Sequence, residues 1–260
     1  MSSSASWLCR PKPTASLCLR AQNETSTLLK SPAQEVVCHV RQASSSAELR
    51  AAAFLRALSF YSYPADRSPW AQQAHRRMKT NAEWGEAESK VSGTNKMYQA
   101  VRVTTFIATL EDSAADPTAV RVRATIDPSC KLPADEAGGP WLVIGTLDVN
   151  QGARLPAEEL VGWEPPGAAA ATGRAYLSNV CVHADVRRQG IAAALVEAGA
   201  EHARASGVQQ LYVHVIAANA AGVGLYAERC GFKREQAESE ATARALGRPA
   251  RLLLRRSLGP

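Results

Sequence analysis

The chain has 260 residues, of which 46% are hydrophobic and 21% charged, so it can bury a sizeable core in one large domain or in one domain with appendages. Its formal net charge of +6 is too modest and too dispersed to indicate a nucleic-acid-binding protein, and no apolar run approaches the ~20 residues that cross a bilayer. The six cysteines form no Cys-x-x-Cys pair and no histidine lies at metal-ligand spacing, so we expect reduced thiols and no metal.

Residues 1–35 have the composition of an organelle transit peptide. Serine recurs from Ser2 to Ser26, basic residues are scattered among the serines, and no acidic residue precedes Glu24. A hydroxylated, basic, acid-poor start is typical of such leaders, although an ordinary disordered tail would have a similar composition. The Met-Ser-Ser-Ser start and weak amphipathicity favour a plastid over a mitochondrion. We predict cleavage in the thirties and one domain over 36–258.

The first half of this domain predicts a strand, a helix and an insertion. Residues 36–43 favour a strand, and three serines then provide caps for a helix over 47–60. An insertion at about 62–95 follows, with a polar helical stretch over 68–90 that either contributes to substrate selection or simply covers the sheet.

Further strands are predicted before a second insertion. The β-branched stretch 101–110 predicts a strand, and 141–149 predicts another. Residues 120–126 are interpreted as a further strand or a bent continuation of the first. The proline- and alanine-rich stretch 151–172 predicts a long insertion, which we interpret as a flap near the acceptor side.

The stretch 175–205 predicts a strand, a basic turn and a helix that together bind an anion. A strand over 176–183 runs into the turn Arg187-Arg188-Gln189-Gly190-Ile191-Ala192, and an amphipathic helix follows. Small residues at a helix start leave backbone N–H groups open to phosphate oxygens, and the helix dipole and two arginines add positive charge.

Two motifs resemble those of the GCN5-related N-acetyltransferases (GNAT). The spacing Arg187-x-x-Gly190-x-Ala192 resembles the pyrophosphate motif with which that family binds acetyl-CoA. The strand 211–215, then Asn219, Tyr226 and Gly231-Phe232, resemble its second conserved block in order and separation. The resemblance covers roughly 101–258. It implies an α/β fold with a mixed, mostly antiparallel central sheet flanked by helices and splayed between the family's fourth and fifth strands, here 175–183 and 210–216.

The resemblance also implies a set of cofactor-binding residues. The pantetheine arm of acetyl-CoA is expected to insert between the splayed strands, pair with main-chain groups of the first, and meet the Val182 N–H at the thioester carbonyl. The expected acetyl-CoA-binding residues are Val180, Cys181, Val182, Arg187, Arg188, Gln189, Gly190, Ile191, Ala192, Ala193, Asn219, Ala220, Ala221 and Tyr226.

Three further residues are candidates for catalysis. Tyr226 lies seven residues after Asn219, about two helical turns, and is our candidate general acid. Tyr176 and His214 would face the same cleft and hold a proton-accepting water, as in some N-terminal acetyltransferases; as structural residues they would fit a strand equally well. His183 is a weaker candidate, and Cys181 and Cys230 are interpreted as packing residues. Gly222 and Gly224 depart from the family pattern, in which alanine is more common.

We conclude from the sequence that the chain is an acetyl-CoA-dependent N-acetyltransferase of protein N-termini in the plastid, with lysine side chains left open as further acceptors. Two alternatives remain: acetylation of a small amine, and an acyl-CoA-binding module without catalysis. The acceptor, the general base and the oligomeric state are not determined by these residues.

Overall fold

The computed structural model describes residues 5–8, 37–134, 138–152, 155 and 173–259. The strands in these residues form one sheet; they are β1 (Ala5–Leu8), β2 (Val37–Gln42), β3 (Val101–Glu111), β4 (Lys131–Leu132), β5 (Trp141–Gly152), β6 (Arg174–Val182), β7 (Gln210–Ile216), β8 (Lys233–Ala237) and β9 (Arg251–Ser257). Their order is β1-β2-β3-β5-β6-β7-β9-β8, with β4 paired to β5 beside this path. All pairs are antiparallel except β6 with β7.

Helices flank this sheet. They are α1 (Ser46–Phe60), α2 (Pro69–Val91), α3 (Pro117–Thr125), α4 (Ile191–Ala205), α5 (Ala220–Val223) and α6 (Glu240–Ala245), and α5 continues as a π-helical segment, Gly224–Arg229. None of the helices in the described ranges is both long enough and apolar enough to cross a membrane. The predicted fold class, a mixed and mostly antiparallel sheet with flanking helices, is confirmed.

Helices α1 and α4 cover opposite faces of β5, because successive strand residues point to opposite sides. Leu147 contacts α4 at Gly199, where an added Cβ would lie 3.0 Å from the leucine side chain. Thr146 and Asp148 instead accept hydrogen bonds from Arg56 of α1, at 3.2 and 2.6 Å. The core therefore has two layers of side chains, one on each face of the sheet. The site described below lies where β6 separates from β7.

The sequence located most elements within one or two residues, and the caps explain why. At α1, the Ser45 side chain accepts from the Glu48 N–H and the Glu48 carboxylate accepts from the Ser45 N–H, which is a capping box. The predicted strands at 36–43, 101–110, 141–149 and 211–215 and the helices at 47–60 and 68–90 are all present.

One prediction was wrong. Residues 120–126 were expected to form a strand or to continue one, and they lie instead in α3 and its C-terminal cap. The Asp116 side chain accepts from the Thr118 N–H at 2.8 Å, and Pro117 occupies the first turn, where its missing N–H costs nothing. Buried Ala119 and Val122 then face the sheet side at helical spacing.

Two predicted segments lie largely outside the described residues. Of the predicted leader, 5–8 form β1, which pairs with β2 from Ala5 opposite Val40 to Leu8 opposite Val37. Of the second insertion, 151, 152 and 155 are described, and Leu155 is buried beside Tyr176 and Tyr212.

Candidate active site

The sheet opens between β6 and β7. Their parallel pairing starts at Arg174 opposite Gln210 and ends at Leu177 opposite Val213, although both strands continue past that point. On their outer sides β6 still pairs with β5 and β7 with β9. The facing edges beyond Leu177 and Val213 therefore present main-chain donors and acceptors to a cleft, where an extended arm with amide groups could pair.

A bulge in β6 accounts for the opening. Between Asp148 opposite Ser178 and Thr146 opposite Cys181, β6 has one residue more than β5. Asn179 has φ 57°, a left-handed conformation that asparagine tolerates better than most residues, and its Nδ2 donates to Asp148 Oδ2 at 2.8 Å. A bulge bends its strand, so β6 turns away from β7 at this point.

Asp148 is held by buried partners on its other oxygen. Its Oδ1 accepts from Arg56 at 2.6 Å and from the Thr105 hydroxyl at 2.7 Å, and Arg56 and Asp148 are each about 2% exposed. A buried ion pair is stable only when the other hydrogen-bonding positions of its two groups are also occupied. The hydrogen bonds from Thr105 and Asn179 occupy those of the Asp148 carboxylate. The bulge is thus tied to α1 through a fixed carboxylate.

The turn before α4 offers open backbone donors. Gly190 is the N-cap with φ 87°, and no side chain of the described residues caps the helix. The first hydrogen bond into the helix runs from the Ala194 N–H to the Gly190 carbonyl, so the N–H groups of Ile191, Ala192 and Ala193 have no intrahelical acceptor. The Arg187 side chain folds back toward β6, and its Nε donates to the Val182 carbonyl at 3.0 Å. Open N–H groups at a helix start attract anions, so this turn is a candidate anion site at the end of the cleft.

The opposite wall is formed by α5 and the π-helical segment. The Asn219 side chain caps α5 by accepting from the Gly222 N–H at 3.0 Å, as its position in the sequence predicted. Gly222 is required by close approach, because a Cβ there would lie 2.8 Å from Val215 Cγ2. At Gly224 the helix widens to π geometry, a local distortion that is frequent at functional sites, and so Tyr226 does not follow the simple α-helical spacing assumed from the sequence.

Tyr226 is buried against one wall of the cleft. Its ring meets Phe232 edge to face at 5.7 Å between centroids, and its side chain is about 6% exposed. No hydrogen-bond partner for its hydroxyl lies within the described ranges. Burial, with smaller contributions from Cys230, Tyr176 and Cys181, raises the pKa of Tyr226 well above its usual value. The phenol therefore stays protonated at neutral pH and is available to donate.

Tyr176 and His214 meet across the closed end of the cleft. The Tyr176 hydroxyl lies 3.0 Å from His214 Nδ1, and their rings are 5.5 Å apart. This contact follows from the register, because Tyr176 is opposite Tyr212 and His214 lies two residues further along the same face. The two residues that the sequence paired are thus hydrogen-bonded directly.

Nearly all predicted cofactor residues line one cavity of about 850 Å³. Gln189 is the exception, since it does not line the cavity and its Oε1 is buried without a partner among the described residues. The predicted residues in the lining are Val180, Cys181, Val182, Arg187, Arg188, Gly190, Ile191, Ala192, Ala193, Asn219, Ala220, Ala221, Tyr176, His214 and Tyr226.

The remaining titratable candidates have structural surroundings. Burial raises the pKa of the Cys181 thiol to about 11 and that of Cys230 to about 11, so both are neutral thiols at physiological pH. The His183 side chain accepts from the Asp185 N–H at 3.4 Å, and burial lowers the pKa of His183. These contacts agree with the interpretation of Cys181 and Cys230 as packing residues and with the lower rank given to His183.

Sequence reasoning missed two parts of the site. Ser59 and Phe60, at the end of α1, also line the cavity, and nothing in the sequence around them indicates a contact with β6. The bulge at Asn179 was missed as well. The one available signal was an asparagine within an otherwise apolar strand, a residue type that accepts positive φ.

Comparisons with known proteins agree with this geometry. Residues 108–232 match the family model described as "Acetyltransferase (GNAT) family", a range that includes every predicted site residue. The chain is 34% identical over 216 residues to the Arabidopsis thaliana protein "GCN5-related N-acetyltransferase 7, chloroplastic", covering 83% of this chain and 74% of that protein. It is 37% identical over 98 residues to "GCN5-related N-acetyltransferase 6, chloroplastic" of the same plant, covering 35% of this chain and 34% of that protein.

A solved structure with a similar course of the chain is that of PaiA N-acetyltransferase from Thermoplasma acidophilum in complex with coenzyme A. The sequence identity is 12% and the TM-score 0.47, over 85% of this chain and 99% of that one.

Proposed function

This chain belongs to the GNAT family of acetyltransferases, and we propose that it transfers the acetyl group of acetyl-CoA to the α-amines of protein N-termini, with lysine ε-amines as a second class of acceptor. The observation that carries the proposal is a single cleft in which an uncapped helix start, two open strand edges and three aromatic titratable side chains meet. Acetyl-CoA supplies the activated thioester; the residues below bind it and move protons.

The cleft fits coenzyme A at both of its polar regions. The open N–H groups of Ile191, Ala192 and Ala193 would hold the diphosphate. Arg188, which lies in the same turn in a left-handed conformation, would add positive charge. The open edge of β6 at Val180–Val182 would pair with the amides of the pantetheine arm. In that position the Val182 N–H would donate to the thioester oxygen, where negative charge develops during transfer.

Tyr226 is the proposed proton donor to the departing thiolate. Tyr226 lines the cavity, and its hydroxyl keeps its proton at neutral pH because burial raises its pKa. A thiolate whose conjugate acid has a pKa of ~8.5 is a weaker base than a phenolate, so the hydrogen bond itself provides much of the stabilisation.

The hydrogen-bonded pair Tyr176 and His214 is the proposed route for the acceptor proton. The amine must lose a proton as its nitrogen attacks the carbonyl carbon and the carbon–sulfur bond breaks. A histidine titrates in the range needed to receive that proton, directly or through water, and the Tyr176 hydroxyl fixes the orientation of its ring.

The pKa of the acceptor favours α-amines. An α-amino group near pKa ~7.7–8.0 is partly neutral at physiological pH, whereas a lysine near ~10.4 is mostly charged and needs a stronger base. The leader composition and the similarity to relatives named chloroplastic support a plastid location.

The test is acetylation itself. The chain is expressed in bacteria beside its Tyr226→Phe variant, and the acetylated sites of the host proteins are identified by mass spectrometry, which separates α- from ε-amine products. New α-amine sites that are absent with Tyr226→Phe support the proposal.

Two other results would replace the proposal. No new protein sites, together with coenzyme A release when small amines are added to the purified chain, would indicate a small-molecule acetyltransferase. Coenzyme A binding without turnover of any amine would indicate a binding module.

A further inference from the structure

A cluster of cations supported by tyrosine rings begins next to the wall of the cleft. Ser59 and Phe60, the last residues of α1, line the cavity, and the chain then enters the loop to α2. Tyr61 and Tyr63 in this loop, with Arg67, Arg76 and Lys79, make up what we call the basic tyrosine cluster.

The cations of the cluster are held against aromatic faces. The guanidinium carbons of Arg67 and Arg76 lie 5.2 and 5.6 Å from the centre of the Tyr63 ring, and the Lys79 ammonium lies 4.8 Å from that of Tyr61. Such contacts attract a cation without neutralising it, so they position positive charge and leave it available. His75 fixes the Tyr63 ring through a 3.1 Å contact to its hydroxyl.

The positive charge of the cluster is not cancelled by an ion pair. In the part of the chain that the structure describes, Arg67, Arg76 and Lys79 have no salt bridge, and Arg76 Nε is shielded from solvent without a hydrogen-bond acceptor. Glu83 contacts the cluster, but through the Tyr61 hydroxyl at 3.4 Å. Desolvation lowers the pKa of His75, and Arg67 and Lys79 lower it further, which is the effect of a locally positive field.

We propose that the basic tyrosine cluster binds acidic side chains of the protein substrate, so that the enzyme prefers N-terminal segments with Asp or Glu a few residues after the acetylated amine. The inference rests on the proposed function. An extended chain advances about 3.3 Å per residue, so a peptide that has its amine in the cleft and leaves past Ser59 and Phe60 would reach the cluster within its first few residues. Carboxylates are the complement of guanidinium groups, which bind them with paired hydrogen bonds.

The test uses matched peptides and three proteins. The peptides share length and first residue and carry Glu, Gln or Lys at about positions 3–6. The proteins are the wild type, the cluster variant Arg67→Gln/Arg76→Gln/Lys79→Gln, and a control that removes three exposed charges elsewhere, Lys96→Gln/Arg102→Gln/Lys131→Gln. Melting temperature and coenzyme A affinity are measured for each, and both variants should match the wild type in these.

We expect the wild type to acetylate the Glu peptide with a kcat/KM about five times that for the Gln peptide, mainly through KM, because exposed ion pairs each contribute a few-fold at most. The Lys peptide should be the poorest. The cluster variant should lose the preference and the control should keep it. Raising salt to about 1 M should also remove it, since charges at the protein surface, including partly buried ones such as these, are screened at that ionic strength.

Failure of this inference is distinguishable from failure of the proposed function. Equal kcat/KM for the Glu and Gln peptides, or equal loss of preference in both variants, would overturn the inference and leave α-amine acetylation standing. No acetylation of any peptide by the wild type would overturn both.

Discussion

The Tyr176 hydroxyl and His214 Nδ1 lie 3.0 Å apart although the two residues are 38 positions apart in the chain. The contact exists because β6 and β7 are parallel and in register up to Leu177 and Val213, so that Tyr176 and His214 project from the same face just where the strands separate. The proposed proton acceptor and the tyrosine proposed to orient it therefore lie at the point where the open edges begin.

This pair should behave as one unit. We expect Tyr176→Phe and His214→Gln each to lower kcat/KM by about 10- to 100-fold, and the double variant to be little worse than the poorer single one, because either change disables the same proton path. Steady-state kinetics of the wild type, the two single variants and the double variant on an α-amine peptide complete this double-mutant cycle. Losses that multiply in the double variant would mean that the two residues act independently.

The pH dependence identifies the base. A base must be neutral to accept a proton, so if His214 is the base, we expect kcat/KM of the wild type to fall as pH falls and His214 becomes charged. His214→Gln should remove that part of the profile. If the variant keeps the same fall, the titrating group is the peptide amine and His214 is not the base.

Tyr226→Phe should reduce kcat by about 100-fold while leaving the Kd for coenzyme A within about twofold, because it removes a proton donor but keeps the ring packed on Phe232. Tyr212→Phe is the matched control: Tyr212 is also a buried tyrosine, about 8% exposed, but does not line the cavity. A similar loss of kcat in both variants, or none in Tyr226→Phe, would contradict the assignment.

Alanine variants of the two glycines at the ends of α4 distinguish the effect of backbone strain from an effect on anion binding. Gly190 has φ 87° and Gly207 has φ 82°, so alanine at either position costs roughly 1–2 kcal/mol of stability. We expect Gly190→Ala to raise the Kd for coenzyme A by at least about tenfold, since its turn presents the open N–H groups, and Gly207→Ala to leave that Kd unchanged. Calorimetric titration and thermal unfolding give both quantities. If Gly190→Ala bound coenzyme A with wild-type affinity, the proposal that this turn binds the diphosphate would be wrong.

The buried pair Arg56 and Asp148 should be the most sensitive polar contact. Asp148→Ala leaves a buried guanidinium uncompensated, which costs about 3–5 kcal/mol, and it also frees Asn179 in the bulge. Adding Arg56→Met should recover part of this loss. The exposed pair Arg255 and Glu235 is the comparison, where Glu235→Ala should cost less than about 1 kcal/mol.

Urea unfolding measures these changes in the free energy of unfolding as shifts in the midpoint urea concentration, provided that the dependence on urea keeps the same slope. A loss below about 1 kcal/mol in Asp148→Ala would show that solvent compensates the arginine.

Cys181 should be dispensable for chemistry. Burial raises its pKa to about 11, so at pH 8 the thiol is almost entirely protonated, and a protonated thiol is a poor acyl acceptor. We expect Cys181→Ala to keep kcat within about threefold and the wild type to carry no acetyl thioester after rapid quenching with acetyl-CoA. A loss above about 100-fold, or a trapped acetyl-enzyme, would indicate a covalent route.

The sequence predicted the elements whose causes are local. Gly190 with small neighbours predicted an open helix start, and Asn219 predicted a helix cap, because both depend on residues a few positions away. The same local signals were overlooked at Asp116 and Pro117, so α3 was expected to be a strand. That error lay in a missed cap rather than in missing information.

Other features depended on contacts that no local pattern specifies. The π-helical segment that carries Tyr226 follows α5, which packs closely against Val215 of β7 at Gly222. The bulge at Asn179 depends on a carboxylate 31 residues earlier, which is itself held by an arginine 92 residues before it.

By itself, the sequence determined a buried strand followed by a turn of small residues and a helix, and a second block that carries Asn219 and Tyr226; the resemblance of both to GNAT motifs implied the fold. These follow from backbone conformations that only certain residues adopt and from spacings along one element. The tertiary structure alone decided that Tyr176 touches His214, that Gln189 does not line the cleft, and that cations without a salt bridge among the described residues gather beside the end of α1. The reason is register: which residues face each other across a sheet or between helices depends on pairing between distant segments, and a bulge of one residue changes it.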